Sequence, residues 1–294
     1  MLGVVFHNAK FFFSNLTLNS HIYFLVFCYI IKIKRNRFEM RIYFLKIISA
    51  LLFLALIFNM SFAAFAATSH GWYVKRNGHN APSFPADAEL LKEHGCYFID
   101  YDTSYKRIYI TFDAGYENGN VSRILDVLKD ECVPAAFFVL DNIILKNTDL
   151  VMRMVDEGHL VCNHTLRHRD LSGATIDEIR EDLTALEEIY EKNTGRKMSK
   201  YFRFPEGKYS LGAVKHLDTL GYKTVFWSFA YEDWDNSKQM SKSKALKKVL
   251  DNTHDGAVML FHPTSSTNAD IFPELIRSWK EMGYSFGTLD ELTR

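Results

Sequence analysis

The chain has 294 residues, of which 48% are hydrophobic and 24% are charged, and its formal net charge is zero. This length and composition indicate a globular protein with one large core or two small ones. Residues 1–66 contain seven Lys or Arg and one acidic residue, which leaves 28 basic and 34 acidic residues for 67–294. This mildly acidic body lacks the basic face that is typical of nucleic-acid-binding proteins, so we expect no nucleic-acid partner.

The basic N-terminal part resembles a targeting segment. After Met40, the cations Arg41 and Lys46 precede an apolar run at 47–57, and an A-x-A motif ends at Ala66. This order is typical of a secretory signal peptide, so it predicts export across the cytoplasmic membrane and favours cleavage after the motif. A retained membrane anchor is the alternative, because the apolar stretch is nearly long enough to span a bilayer.

Residues 1–39 fit neither interpretation, because a signal normally begins at the initiator methionine. We therefore predict that translation starts at Met40 and that 1–39 are a mis-assigned upstream extension. Residues 40–66 are then the signal peptide or anchor, and they are the only predicted contact with a membrane.

The four cysteines indicate no disulfide framework. Cys28 lies in the leader, and the three that remain, Cys96, Cys132 and Cys162, are an odd number without close spacing. We expect each of the three to pack as a small apolar residue. Export without disulfides suits a bacterial envelope protein better than a small secreted domain.

Residues 67–105 are predicted to be an extended lead-in with one short helix, ADAELLKEHG, because Pro82, Pro85 and three glycines interrupt any longer element. From residue 106 onward, apolar strands alternate with amphipathic helices. The strand-like runs are RIYITF, PAAFFVL, HLVCN, YFRF, KTVFWSF, AVMLF and YSFGTL. The helix-like runs between them are VSRILDVLKDE, TDLVMRMVDEG, TIDEIREDLTALEEIYEKN, LGAVKHLDTLG, SKSKALKKVLDN and PELIRSWKEMG.

This alternation predicts parallel strands with helices packed outside them. Seven strands without a second compositional regime predict an α/β protein with a single domain, a closed or nearly closed (β/α) barrel over 106–294.

Polar residues of unusual chemistry follow the strands, where barrel active sites are assembled. Asp113 ends the first strand, His164 and His168 follow the third, Arg203 and Pro205 the fourth, Asp233 and Trp234 the fifth, and His262 the sixth. Each position alone is weak evidence for a site. Their coincidence at one rim favours a functional interpretation.

Each side chain has a structural and a chemical interpretation. His164 and His168, four residues apart, either bind one cation such as zinc or lie as two surface histidines in a polar loop. Asp113 either caps a loop or acts as a general base on a water molecule. His262 is either a core histidine or a general acid.

Two further residues have supporting roles in the chemical interpretation. Arg203 either forms a salt bridge at the outer rim or holds the Asp113 carboxylate ionised. Asp233 is either a helix N-cap or the carboxylate that orients a histidine. Cys162 could be proposed as a soft ligand beside His164, but we interpret it as a core residue.

The motifs TFDAG, HTLRH, RFPEG, EDW and LFH, in this order over about 107–290, resemble those of the NodB-type polysaccharide deacetylases, carbohydrate esterase family four. The longer first motif TFDAGYENG and the preceding YFIDYDTSYKRIYI resemble the spore-cortex branch most. That branch removes acetyl from N-acetylmuramic acid so that muramic δ-lactam can form. The resemblance implies a hydrolase of the cell envelope or spore cortex that acts on peptidoglycan glycan strands, and we expect a monomer.

The resemblance also implies a roughly seven-stranded barrel with a divalent metal, often zinc. It assigns the catalytic base to Asp113, metal ligation to His164 and His168, and the catalytic acid to His262. Arg203 and Asp233 match the residues that hold the base and the acid. We expect sugar contacts from Tyr116, Pro205, Tyr209 and Trp234, and stacking faces from Trp227 and Tyr231, although Trp227 fits a buried core role equally well.

The sequence departs from the family pattern at Ala114, where most members have a metal-binding Asp. Two other functions stay open, the first because the acetyl chemistry is shared across the family's substrates. One is deacetylation of another glycan, such as chitin oligosaccharides or acetylated xylan. The other is a glycan-binding module that has lost its metal, which Ala114 favours and the retained base, acid and supporting residues oppose.

Overall fold

The computed structural model describes residues 46–51 and 69–294. The chain divides into two compact units, 1–66 and 67–294. In the first unit, 46–51 are helical and exposed, and the rest of the predicted signal segment and extension lies outside the described residues. None of the helices described is both long enough and apolar enough to cross a membrane.

The elements of the second unit follow the predicted alternation of strands and helices. The strands are β1 (His70–Gly71), β2 (Lys75–Asn77), β3 (Asn80–Ser83), β4 (Cys96–Tyr97), β5 (Arg107–Ala114), β6 (Ala136–Val139), β7 (Leu160–Asn163), β8 (Ser199–Phe202), β9 (Lys208–Tyr209), β10 (Lys223–Val225), β11 (Ala257–Phe261) and β12 (Ser285–Phe286). The helices are α1 (Ala88–Lys92), α2 (Val121–Asp130), α3 (Asp141–Lys146), α4 (Thr148–Asp156), α5 (Ile176–Thr194), α6 (Leu211–Thr219), α7 (Lys242–Leu250), α8 (Ser266–Glu281) and α9 (Leu289–Leu292). A 3₁₀ turn, Pro205–Gly207, follows β8.

The main sheet is parallel and has the order β11-β5-β6-β7-β8-β10-β4, with β12 added beside β5. It confirms the predicted (β/α) barrel. The two ends of the curved sheet meet through isolated bridges rather than a ladder, Phe229 with Met259 and Ile99 with Ala257. We call this junction between β11 and the β10–β4 end the seam.

The predicted lead-in is built into the barrel instead of standing apart from it. β4 pairs in parallel with β10 and forms one end of the main sheet. β1 pairs antiparallel with β9, and β2 and β3 form a hairpin. The sequence boundary at residue 106 is therefore not a boundary in the structure.

Alternation along β5 separates the barrel interior from the helix layer. Ile110, Phe112 and Ala114 belong to the large apolar cluster that includes residues of the outer helices. Tyr109 belongs to a second cluster inside the barrel. Asp113 shares the parity of Tyr109 and points inward, because successive strand side chains face opposite sides.

The structure corrects three sequence predictions. Helix α8 begins at Ser266 rather than at Pro273, because the Ser265 side chain caps it by accepting from the backbone N of Asn268 and the helix accommodates the proline inside it. Helix α3 was not predicted, since its apolar run continues the strand before it. Cys132 is exposed, whereas Cys96 and Cys162 are buried free thiols as expected.

Candidate active site

Asp113, the penultimate residue of β5, is held by a buried arginine. Its Oδ1 accepts from Nη1 of Arg203 at 2.8 Å. The Arg203 side chain is fully buried, donates from Nε to the Val225 carbonyl at 3.0 Å and from Nη2 to Thr111 Oγ1 at 2.8 Å, and lies 4.1 Å from the Phe138 ring centroid. With its donors committed inside the barrel, the guanidinium presents a fixed charge to Asp113.

Electrostatics keep Asp113 in its ionised form. Burial alone would raise the pKa of its carboxyl group, but its neighbours His164, Arg203 and His262 together hold that pKa below its ordinary value. Because Arg203 occupies Oδ1, the other oxygen, Oδ2, is left to accept a proton.

His164 follows β7 and has a defined tautomer. Its Nδ1 lies 2.9 Å from the carbonyl oxygen of Arg203, which can only accept, so the proton is on Nδ1 and Nε2 keeps its lone pair. Burial lowers the pKa of this imidazole to about 4, with Asp113 opposing the shift, so the ring is neutral near pH 7. Nε2 lies 3.5 Å from Oδ2 of Asp113.

Two acceptor atoms therefore face each other in the site. The ring centroid of His168 is 5.1 Å from that of His164, with the planes at 76°. The structure thus brings the two predicted ligands together beside the predicted base.

The loop that carries His168 is strained. Thr165 has φ of 72° and His168 has φ of 59°, a region that costs a non-glycine residue about 1–3 kcal/mol. Side-chain hydrogen bonds stabilise the turn, since Asn163 Oδ1 accepts from the amide of Thr165 and Thr165 Oγ1 accepts from the amide of Arg169. The loop holds the exposed His168 ring over the buried His164 ring.

Few side chains of the site are placed to bind a metal ion. Over residues 46–51 and 69–294, no group of three or more His, Cys, Asp or Glu is arranged to hold an ion by itself. Ala114 is fully buried in the outer apolar cluster. The two imidazoles of His164 and His168 fit a divalent cation only if it takes its other ligands from water or substrate.

His262 follows β11 and is oriented by Asp233. Its Nδ1 lies 2.7 Å from Asp233 Oδ1, and its backbone N donates to Asp233 Oδ2 at 2.8 Å. Asn268 Nδ2 also donates to that Oδ2, at 2.6 Å, and the Tyr231 hydroxyl donates to Asn268 Oδ1. Asp233 is therefore the orienting carboxylate of a histidine, not a helix N-cap.

This arrangement favours the protonated imidazole. Burial of His262 opposes the charge, but the Asp233 carboxylate, its hydrogen bond and the charge of Asp113 together raise the pKa of His262 above its ordinary value. With Nδ1 engaged by Asp233, the Nε2 proton is the one available to a ligand.

These groups share one pocket of about 630 Å³. Its lining consists of Asp113, His168, Glu206, Trp227, Ala230, Tyr231, Trp234, Leu260 and His262. The ring of Trp234 is 57% exposed and lies 6.1 Å from that of His262, so it offers a free apolar face beside the imidazole. The pocket therefore combines a carboxylate, an imidazole and an aromatic wall.

Only some of the residues predicted to contact a sugar line this pocket. Trp234, Trp227 and Tyr231 line it, and Tyr116 is exposed with its hydroxyl accepting from Asn236 at 2.8 Å. Pro205 is buried and is not among the lining residues.

The prediction that Tyr209 contacts a sugar is wrong. Its side chain is fully buried, its hydroxyl donates to Asp87, and its ring packs against Trp72 and Phe226. Glu206, inside the RFPEG motif, lines the pocket instead and was missed, although its place between Pro205 and a glycine marked a tight turn.

Comparison with known proteins agrees with this geometry. The family model described as polysaccharide deacetylase matches residues 100–225. The peptidoglycan-N-acetylmuramic acid deacetylase PdaA of Bacillus subtilis is 36% identical over 223 residues, which are 75% of this chain and 84% of that protein. The chain belongs to the polysaccharide deacetylase family.

Solved structures of other polysaccharide deacetylases share the fold. The structure of Bacillus subtilis PdaA, a family 4 carbohydrate esterase, superposes with a TM-score of 0.73 at 36% identity and covers 76% of this chain and 97% of that one. A family 4 pseudoenzyme from Bacillus anthracis has a TM-score of 0.61 at 28% identity, with 68% and 69% covered. The fold therefore occurs with and without activity, and the site residues must decide between them. Asp233 and His262 lie beyond the matched segment.

Proposed function

We propose that this polysaccharide deacetylase removes the N-acetyl group from peptidoglycan, and specifically from N-acetylmuramic acid residues. The observation that carries the proposal is the pair of opposed catalytic groups in one pocket, Asp113 ionised by Arg203 and His262 protonated beside Asp233. The choice of muramic acid is supported by the name of the Bacillus subtilis relative.

His164 and His168 are the residues that would hold a divalent cation, with its other ligands coming from water or substrate, and we propose zinc because imidazole suits it. Such a cation, when bound, supplies positive charge beside the acyl oxygen and makes water more acidic. The neutral state of His164 suits this role, because only an unprotonated Nε2 has a lone pair to offer.

The protein groups account for both proton transfers. Asp113 Oδ2 takes a proton from the attacking water as its oxygen bonds to the acetyl carbon. His262 Nε2 then gives its proton to the sugar nitrogen as the carbon–nitrogen bond breaks. Acetic acid and a free sugar amine leave, and the acid gives its proton to solvent to become acetate. A further proton transfer from Asp113 to His262 through solvent restores both groups.

We also propose that the enzyme acts outside the cytoplasmic membrane, in the cell envelope or spore cortex, where its product allows muramic δ-lactam to form. Export would depend on residues 40–66, with translation starting at Met40. In this proposal the enzyme is a monomer.

Mass spectrometry of muropeptides tests this function. Glycan strands with and without their peptide stems are incubated with the purified chain, with added zinc and with chelator. We expect acetyl loss from muramic acid, preferentially in strands without stems, and none with chelator. Acetyl loss confined to glucosamine or to chitin oligomers would assign the enzyme to another glycan.

A second candidate is a glycan-binding module without turnover. It is favoured by Ala114 and by the likeness to the Bacillus anthracis pseudoenzyme. It predicts that the chain sediments with peptidoglycan and releases no acetate at any zinc concentration.

A further inference from the structure

We propose that the N-terminal segment 69–83, which we call the brace, positions one wall of the catalytic pocket through Trp72 and Arg76. This wall consists of the lining residues Glu206, Trp227, Ala230 and Tyr231. The segment lies outside the part of the chain that matches the family model, which begins at residue 100. Its predicted effect on turnover rests on the proposed function, whereas its effect on the wall does not.

Trp72 joins two pocket loops to each other. Its backbone N donates to the carbonyl of Gly207 at 2.8 Å, and its indole Nε1 donates to the carbonyl of Trp227 at 2.9 Å. The first contact extends the pairing of β1 with β9, directly after Glu206. One residue of the brace thus connects the loop after β8 to the loop after β10, and both loops contribute to the pocket lining.

Close packing leaves these loops little freedom. The Trp72 ring stacks on Phe226 with centroids 4.4 Å apart and planes at 14°. A Cβ at Gly207 would lie 2.8 Å from Cη2 of Trp227 and 3.0 Å from Cβ of Trp72, and the φ of Gly207 is 66°. Only glycine permits this approach, so the position of Trp72 determines the separation of the two loops.

Arg76 holds the wall at a second point. Its Nη2 donates to the carbonyl of Ala230 at 2.6 Å, and its guanidinium lies 5.4 Å from the Phe229 ring centroid. Ala230 lines the pocket, and Phe229 makes the bridge to Met259 at the seam. A charged donor therefore fixes the main chain where the sheet has no continuous ladder to fix it.

The wall leads directly to the catalytic acid. Tyr231, the next residue after Ala230, donates to Asn268, which donates to the carboxylate that orients His262. Displacement of the wall would move both the substrate-facing surface and this hydrogen-bond chain. Trp72 and Arg76 touch no group of the proton transfers, so they are positioning residues.

Hydrogen–deuterium exchange of the ligand-free chain tests the brace without reference to activity. We expect amides in 205–209 and 227–231 to exchange about threefold to tenfold faster in Arg76→Gln and in Trp72→Phe, since each variant loses one hydrogen bond. Arg76→Lys keeps a charged donor and should restore much of the protection. Lys75→Gln, an exposed neighbour on β2, is the matched control.

Kinetics on glycan strands give the second measurement. We expect KM to rise several-fold in Arg76→Gln with a smaller change in kcat, and no change in Lys75→Gln. Unchanged exchange in both brace variants would overturn the proposal, and faster exchange with unchanged KM would reduce the brace to a structural role. If wild type releases no acetate, the proposed function fails, and exchange still decides whether the brace holds the wall.

Discussion

The two carboxylates of the site have different tasks because their partners differ. Both oxygens of Asp233 accept hydrogen bonds, from the ring and backbone of His262 and from Asn268. Asp113 has one oxygen bound by Arg203, and its other oxygen faces the acceptor nitrogen of His164. Only Asp113 therefore has an oxygen free to take a proton from water.

Asp113→Asn tests the base. We expect the rate to fall by about 10²–10⁴-fold, the usual contribution of general base catalysis, with bound metal nearly unchanged. Asn keeps an oxygen for Arg203, so the free energy of unfolding should fall by only about 1–3 kcal/mol. Acetate release, metal analysis and urea unfolding are the measurements, and a wild-type rate would show that Asp113 is not the base.

Asp113→Ala is the matched variant for stability. It removes the acceptor and leaves the buried guanidinium of Arg203 without its carboxylate, which typically costs about 3–5 kcal/mol. A loss no larger than that of the Asn variant would mean that the ion pair contributes little to the fold. The burial of Arg203, which sets this cost, could not be predicted from the sequence alone.

Asp233→Asn tests how the acid is tuned. His262 must be protonated to act, so activity declines as the pH rises through its pKa. The Asp233 carboxylate raises that pKa, and its neutralisation should move the alkaline limb of the pH–rate profile to lower pH. An unchanged alkaline limb would show that Asp233 does not set the pKa of His262.

His262→Ala is the companion experiment. We expect turnover to slow by about 10²–10⁴-fold, with metal binding intact. Since the variant has no imidazole to titrate, the alkaline limb should disappear rather than shift. A limb that persists would assign the acid to another group.

At the scale of elements, local signals predicted most of the fold. Helix α5 begins with the capping box of Thr175 and Glu178 and ends at Gly195 with φ of 68°, and both signals are visible in the sequence. Strand ends placed the five site motifs at one rim, because parallel strands bring their carboxyl ends together. The predicted run for helix α8 starts at Pro273, a residue type that is common at helix starts, whereas the helix is capped by Ser265.

Features that depend on tertiary contacts could not be predicted in this way. Asn268 supports Asp233 from a helix that the sequence did not extend that far. The burial of Tyr209 depends on Trp72, which is 137 positions earlier in the chain. Neither residue carries a local pattern that reveals its partner.

The alternation of side chains along β5 determines what we expect of Ala114→Asp, because it fixes the surroundings of residue 114. The side chain at 114 is buried in the outer apolar cluster, so a carboxylate there is desolvated unless it reaches a cation. We expect the metal-free variant to melt at a lower temperature than wild type and to regain stability with zinc, which it should bind more tightly. Calorimetric titration and thermal unfolding measure both effects.

Wild type is the control for that experiment. With two histidines as its protein ligands, it should bind zinc weakly and lose it to chelators during purification. Equal affinity in wild type and variant would mean that the new carboxylate stays among apolar side chains. Full activity of metal-free wild type would contradict the proposed mechanism.

At the scale of the whole molecule, the two ends of the barrel serve different purposes. The site occupies the carboxyl end of the strands, whereas Leu289 and Leu292 of α9 pack in the interior cluster with Tyr109. Leu289→Ala should lower the free energy of unfolding by about 2–5 kcal/mol through the cavity that it leaves, with KM unchanged. Denaturant unfolding and steady-state kinetics check this, and a raised KM would show that the two ends are coupled.

The seam runs beneath the pocket, since Trp227, Ala230 and Tyr231 lie on one side of it and Leu260 and His262 on the other. A further strand inserted there would complete the ring of backbone hydrogen bonds, and its side chains would fill the space where a sugar is to bind. The cleft is thus the gap that remains because the two ends of the sheet are not joined by a continuous ladder. Substitutions of the pocket-lining residues on either side of the seam would change the width of this opening without disturbing the register of the paired strands.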